Sequence, residues 1–319
     1  MQNNIANLIE TKDLSKNFVA QKGFSFQYIY AVNNVNIDIK REETFALVGE
    51  SGCGKSTLGK LILRIIEPTH GQIFYNGNNI TNAKILSYRK KMQMIFQNTS
   101  EALDPKLTVG EIIGEAIDIH KLALNKVERQ DKIKELLQTV ELSNDFVHRF
   151  PHELSGGQQQ RIGIARALAV EPEFIVCDEA VSSLDVSVQA QILNMLIDMQ
   201  RSFGLTYLFI SHDLAVVRYI ATRIAVMYLG NIVEIAKSDD LYKNPVHPYT
   251  QALLSSIPRL NNVCMTSHVS LKGEPQNPLN LPQGCCFHTR CQYIIKKCRQ
   301  TAPTLREISP QHFVACHII

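Results

Sequence analysis

Between residues 8 and 39 apolar and polar positions alternate in short stretches, most clearly where Val32, Val35, Ile37 and Ile39 are set to share one face, and this predicts antiparallel strands. The unbroken run Thr44–Val48 predicts a buried strand, and the helical spacing over 58–66 predicts a helix behind it. Residues 71–75, followed by Asn76 and Gly77, predict a further strand and its turn. From Val109 the period lengthens. Val109, Ile112, Ile113, Ala116 and Ile117 make one helical stripe, and Val127, Ile133, Leu136, Leu137 and Val140 a second, so 98–161 is expected to be an inserted helical subdomain. Strand and helix then alternate: a strand at 174–177, a helix at 188–199, and strands at 206–210 and 224–227. Such alternation predicts an α/β protein with a mainly parallel sheet covered by helices, beside a small antiparallel β layer. Beyond Ser238 a Pro-rich and Cys-rich tail shows no clear period. A boundary is expected near Asn244, dividing the chain into 1–243 and 244–319.

Composition narrows this picture mainly by exclusion. With 319 residues, 45% hydrophobic and 20% charged, the chain can bury a full core and exceeds one average domain. A net charge of +3 without a basic run gives no nucleic-acid groove. The first residues lack a signal-peptide pattern and no apolar stretch is long enough to span a bilayer, so a cytosolic location is expected. Of eight cysteines, Cys264, Cys285, Cys286, Cys291, Cys298 and Cys316 crowd the tail; in a reducing compartment this favours a metal or cluster over disulfides.

The chemistry starts at Gly49-Glu50-Ser51-Gly52-Cys53-Gly54-Lys55-Ser56-Thr57, a phosphate-binding loop between the strand at Thr44–Val48 and the helix behind it. Its glycines let successive N–H groups turn inward at an anion, and the following helix adds its positive end. Lys55 supplies a mobile charge for the β- and γ-phosphates, and the Ser56 hydroxyl is a hard ligand for Mg²⁺.

Further along, Leu154-Ser155-Gly156-Gly157-Gln158 precedes a helix, with Ser155 as its N-cap and bare glycine N–H groups at the positive end: a second anion site. The apolar strand at 174–177 delivers Asp178 and Glu179 at its C-terminal end, where ligands collect in open α/β sheets. Asp178 suits Mg²⁺ held through water, and Glu179 suits orienting or deprotonating the attacking water. Asp185 follows. The next strand ends in His212, within reach of a γ-phosphate, and Gln97 is a neutral side chain able to touch both metal and water.

Taken in this order, the loop, Gln97, the Leu-Ser-Gly-Gly-Gln segment, Asp178, Glu179, Asp185 and His212 resemble the ATP-binding subunits of ABC transporters over residues 8 to 240. The resemblance implies ATP and Mg²⁺ as ligands and a head-to-tail dimer, in which Ser155 and Gly157 of one subunit contact the nucleotide held by the other's phosphate loop. It also implies an aromatic ring on adenine, for which Phe18 is the candidate and Tyr28 and Tyr30 are rivals. Residues 58–69, 97–105 and 244–250 are similar to the second, F-type ATPase subunit of bacterial dipeptide and oligopeptide importers, with Asp104 in place of the more usual Asn.

That subgroup implies a D-type second ATPase subunit, two transmembrane permease subunits, an external peptide-binding protein, no nucleic acid, and a peripheral place on the cytoplasmic face of the inner membrane. Nickel or glutathione import, and a soluble ATPase acting on nucleic acid, are the alternatives. Four thiolates in the tail are soft ligands for iron–sulfur or zinc. In the subgroup the pattern resembles a [4Fe–4S] site, with Cys285, Cys291, Cys298 and Cys316 as the matching residues and Cys286 where Pro is usual.

Overall fold

The computed structural model describes residues 7–22, 25–256, 279 and 281–319. In chain order the elements are β1 (Asn7–Lys22), β2 (Ser25–Lys40), β3 (Thr44–Val48), α1 (Lys55–Ile62), β4 (His70–Tyr75), β5 (Asn78–Asn79), α2 (Leu86–Arg89), β6 (Met92–Ile95), α3 (Thr99–Ala102), α4 (Val109–Ile119), α5 (Lys126–Thr139), α6 (Gly156–Leu168), β7 (Phe174–Asp178), α7 (Val186–Phe203), β8 (Thr206–Ser211), α8 (Leu214–Ile220), β9 (Arg223–Tyr228), β10 (Asn231–Lys237), α9 (Ser238–Lys243), α10 (Pro248–Ser255), β11 (Arg306–Ser309) and β12 (His312–Val314). They fall into two compact units, Met1–Asn82 with Ile210–Ile319, and Ala83–Phe209.

The first unit holds an antiparallel sheet of order β2-β1-β4-β5 and a run of order β11-β12-β10-β9-β3. Instead of several short strands, β1 and β2 are a single pair of 16-residue strands. Strict alternation would put Val32 and Val35 on opposite faces. Both are nevertheless buried, with Ile37 and Ile39. A register shift between the pairs Leu14↔Val35 and Lys16↔Val32, with Asn34 at φ +48°, inserts the residue that brings them to one side. In the other run β3 and β9 are parallel, while β9, β10, β12 and β11 pair antiparallel. Full burial of β3 and β9 suits strands covered on both faces.

The helix behind the phosphate loop is shorter than its apolar spacing suggests. It ends at Ile62, Arg64 takes φ +53°, and Pro68 disfavours helical geometry at Glu67.

In the second unit β6 and β7 are parallel within the order β8-β7-β6. The helices α3 to α6 occupy the stretch read as helical. Thr108 caps α4 in a reciprocal box with Glu111, and Val109, Ile112, Ile113 and Ile117 form its buried face. On α5 only Ile133 and Leu137 are buried, and Val127 stands 68% exposed, so it does not belong to the stripe assigned to it.

Residues beyond Ser238 contribute α9, α10, β11 and β12, although their sequence has no period. The organising group is Glu234 of β10, fully buried. Its carboxylate accepts the N–H groups of Val246 and His247 at 2.9 Å each and meets Nε2 of His312 on β12 at 2.7 Å. His247 is itself buried and caps α10, its Nδ1 accepting the Tyr249 N–H at 3.1 Å. Burial pulls its pKa down to about 4, against the opposing pull of Glu234.

An unfolded histidine takes its proton near pH 6.5, so below that pH the unfolded chain binds the proton that folded His247 refuses until about pH 4. The stabilisation is complete above pH 6.5 and is lost as pH falls toward 4, by up to about 3 kcal/mol. His247→Asn keeps a capping oxygen and cannot titrate, so its denaturation midpoint should fall less than that of the wild type between pH 6.5 and 4.5. Identical pH profiles of the two proteins would refute the assignment.

Candidate functional site

The phosphate loop follows directly from β3, and Gly54, at φ +109°, is the N-cap of α1. Lys55, Ser56 and Thr57 therefore belong to the first helical turn, where their N–H groups have no carbonyl four residues back within the helix. Two glycines are required by space. A Cβ on Gly49 would lie 2.2 Å from the Met227 carbonyl oxygen, and one on Gly54 would lie 2.0 Å from that of Ala31. Gly52, with φ +79°, and Ser51 form the exposed outer part of the loop.

Lys55 is buried, and its Nζ donates to the carbonyls of Gly49 at 2.8 Å and Glu50 at 2.9 Å. The ammonium is thus held inside the ring of backbone that a phosphate would enter. Cys53 lines the same ring; burial pushes its thiol up, and the nearby Lys55 charge only partly offsets this. Glu50 is also held by residues that the sequence reading did not single out. Its N–H donates to the Tyr249 hydroxyl at 2.9 Å, and its carboxylate receives a fork from Arg290 at 2.9–3.1 Å. His212, which follows β8 and belongs to the same unit as the loop, is exposed, and Asp213 caps α8 beside it. Phe18 is 39% exposed on β1. It pairs with Ile29, whereas Tyr28 and Tyr30 pair with Val19 and Asn17, so Phe18 and the tyrosines lie on opposite faces of the hairpin.

The second unit carries the remaining nucleotide motifs. Asp178 is buried at the end of β7, and Glu179, next to it, adopts φ +47°, a left-handed geometry that costs about 1 kcal/mol for a residue with a side chain. The Glu179 carbonyl accepts from the Ser182 N–H at 3.1 Å and hydroxyl at 3.0 Å, which secures the turn. Gln97, just past β6, donates from Nε2 to Glu179 Oε2 at 2.8 Å. The donor is a neutral amide and Glu179 is half-buried, so Gln97 orients this carboxylate without a side-chain cation.

Ser155 caps α6 in a reciprocal box, with Oγ accepting from the Gln158 N–H at 3.3 Å and its own N–H donating to Gln158 Oε1 at 3.0 Å. Ser155 and Gly156 are exposed, and Gly157 is half-buried. Asp185 takes the N-cap position of α7. The Gln97 segment and the signature helix are joined: the Thr99 hydroxyl bonds Gln160, and Arg166 donates to the Ala102 carbonyl at 2.7 Å.

In the tail, burial pushes the thiols of Cys285, Cys291 and Cys316 up. Neighbouring thiolates add to this, those of Cys298, Cys316 and Cys291 acting on Cys285. Four soft donors of one kind lie within electrostatic reach of each other. Among the described residues, however, no three His, Cys, Asp or Glu are grouped so as to hold a metal ion. Cys286 turns elsewhere, with its Sγ 3.9 Å from the Tyr228 carbonyl. Cys264 lies outside the described residues. A cavity of about 690 Å³ in the first unit, lined by Asn34, Arg223, His247 and Cys285 among others, includes none of the nucleotide residues.

Comparison with known proteins decides the family. Residues 32–182 match the family described as ABC transporter, and residues 233–298 match the C-terminal region of oligopeptide/dipeptide transporters. The chain is 47% identical to the oligopeptide transport ATP-binding protein AppF of Bacillus subtilis, over 98% of its own length and 97% of that protein's. It is 48% identical to a putative peptide import ATP-binding protein of Brucella ovis, over 97% of each. The chain belongs to the ATP-binding subunits of ABC transporters. Among solved structures, the ATP-binding cassette MJ0796, in a dimeric post-hydrolysis state bound to ADP and Pi, superposes with a TM-score of 0.65 at 31% identity, covering 72% of this chain and 98% of that one. CbiO1 of Clostridium perfringens, at 24% identity and a TM-score of 0.64 over 75% of this chain and 92% of that one, has the same fold.

This ABC ATPase is accordingly an ATP-hydrolysing enzyme. Capping by Ser155 is measurable apart from turnover: Ser155→Ala should cost about 1 kcal/mol, or a thermal midpoint lower by roughly 2–4 °C, and Ser155→Asp should restore most of it. An unchanged midpoint in the alanine variant would show that the cap contributes nothing.

Proposed function

We propose that this chain is the F-type ATPase subunit of an importer of dipeptides or oligopeptides, paired with a D-type ATPase subunit on two permease subunits and served by an external peptide-binding protein. Near-full-length likeness to oligopeptide and peptide import ATP-binding proteins supports this, as does the match of its tail to their C-terminal region. Among the described residues no helix is long and apolar enough to cross a membrane, consistent with peripheral attachment at the cytoplasmic face. The ATP-binding domain is placed at 1–243, with its helical subdomain at 98–161, and the extension at 244–319.

In this reading the loop residues Gly49 and 51–57 hold the phosphates, Lys55 moves from its carbonyl partners to the β- and γ-phosphates, and Ser56, Gln97 and Asp178 serve Mg²⁺. Glu179 orients or deprotonates the attacking water. The single observation carrying hydrolysis is the 2.8 Å pairing of Gln97 with Glu179, which fixes the carboxylate's direction. His212 senses the γ-phosphate, Asp185 belongs to the residues that bind the nucleotide, and Phe18 stacks on adenine. Ser155, Gly156, Gly157 and Gln158 close on nucleotide held by the partner subunit. Residues 98–107, joined to α6 through Thr99 and Arg166, form the surface that meets the permeases.

Cys285, Cys291, Cys298 and Cys316 are assigned to a structural [4Fe–4S] cluster, supported by the family resemblance and by the mutual reach of their thiols. Their closing around a cluster would take movement of the ligands.

Glu179→Gln should bind MgATP with little change while hydrolysing it about 10²–10⁴-fold more slowly, and should accumulate as a closed dimer; ordinary turnover would remove Glu179 from the mechanism. The assembled transporter in vesicles should raise its ATP turnover when the binding protein carries peptides. Stimulation by nickel or glutathione instead would overturn the cargo. Anaerobically purified wild type should show a visible absorption that Cys291→Ser loses, and a colourless wild type would overturn the cluster.

A further inference from the structure

Glu50, the second residue of the phosphate loop, has every polar group of its backbone and side chain engaged. Its carbonyl accepts from Lys55 Nζ at 2.9 Å, its N–H donates to Tyr249 Oη at 2.9 Å, and its carboxylate receives three contacts of 2.9–3.1 Å from Arg290. Two of these partners lie about 200 and 240 residues further along the chain, in the C-terminal extension. We propose that Tyr249 and Arg290 are positioning residues for the phosphate loop, acting through Glu50, so that the extension sets the affinity of the site for MgATP.

Both partners are firmly seated. The Tyr249 ring is fully buried against Tyr228 at 4.6 Å and Phe287 at 5.4 Å between centroids, and Tyr228 packs edge-on to Phe287 at 5.2 Å. Arg290 has only 5% of its side chain exposed and lies over the Tyr228 ring, 5.9 Å from its centroid. Tyr228 follows Met227, whose carbonyl is the one that excludes a side chain at Gly49. The same aromatic group thus supports the clamp and the strand against which the loop rests. A guanidinium fork on a carboxylate fixes direction as well as distance, and a lysine cannot reproduce it. With its carboxylate released, Glu50 could turn, and the carbonyl that seats Lys55 would turn with it. What suffers is the geometry that receives phosphate. The water-activating pair Gln97 and Glu179 belongs to different elements and should not be affected.

The inference rests on the assignment of the loop to MgATP. The test uses the full-length chain and a fluorescent ATP analogue with Mg²⁺, followed by steady-state hydrolysis in the assembled transporter. Arg290→Ala and Glu50→Gln should each weaken binding and raise KM about 5–20-fold while kcat changes less than about 3-fold. The double variant should be no worse than either single one, since both remove the same contact. Arg290→Lys should recover only part of the loss. Tyr249→Phe keeps the ring packing and removes the acceptor, and should weaken binding about 3–5-fold with an unchanged thermal midpoint, which keeps the test decisive if Arg290→Ala folds poorly. Wild-type affinity in Tyr249→Phe and Glu50→Gln, or fully additive losses in the double variant, would overturn the proposal. A wild type that binds no nucleotide would instead overturn the assignment of the loop, and the proposal with it.

Discussion

The structure turns on how closely backbone can approach backbone around the phosphate loop. Gly54 lies against the Ala31 carbonyl and Gly49 against that of Met227, each at a distance that leaves no space for a methyl group. A short relay of hydrogen bonds closes the same region: Gly230 N–H to the Cys53 carbonyl at 2.9 Å, and Asn33 N–H to the Gly230 carbonyl at 2.9 Å. The loop is therefore wedged between β2 and the turn that joins β9 to β10, and cannot relax outward without breaking both. The Gly49 and Glu50 carbonyls are committed to Lys55, while the Glu50 N–H is taken by Tyr249 and the Cys53 N–H by the Glu50 carbonyl.

The second unit meets a different demand, because it must hold a carboxylate in a direction rather than a backbone in a curve. Burial along β7 fixes Asp178, and the left-handed turn at Glu179 takes the next side chain off the strand's alternation. That geometry is unfavourable for a residue with a Cβ, and it persists because the Ser182 contacts and the Gln97 amide hold it from two sides. The Thr99 to Gln160 and Arg166 to Ala102 contacts then connect the segment after Gln97 to α6, the helix that Ser155 caps.

The motifs with short sequence span were legible. An apolar run ending in glycines could only be a strand entering a tight loop, and a Ser followed three residues later by Gln announced its own cap. What stayed hidden depends on residues far apart in the chain. The bulge at Asn34 shows fully only in the pairing of β1 with β2, since the odd step from Val32 to Val35 breaks the alternation without saying which residue is the extra one. The early end of α1 is set by Arg64 and Pro68 acting against an apolar period that continues past them. Val127 stands six residues before Ile133, off the face that Ile133 and Leu137 share, so its exposure follows the helical period that the assigned stripe did not respect. The clamp on Glu50 was the least visible, because an Arg beside a Cys and a Tyr after a Pro carry no local period at all.

The same reasoning explains why the tail folds despite its irregular sequence. β11 is exposed throughout and β12 has three residues, so these strands bring little apolar surface of their own. Their order comes from joining the edge of β10, where β12 pairs at Glu234 and Ile235, and from the carboxylate that three groups of the tail approach. A carboxylate without solvent is costly unless every partner is in place, so Glu234 would be a liability to β10 in the absence of the tail, and it becomes an anchor in its presence. The same anchor fixes the start of α10, one turn of which carries Tyr249 to the phosphate loop. Order therefore passes from a buried carboxylate on β10 to the Glu50 N–H of the phosphate loop, through residues that are neither periodic nor neighbours in sequence.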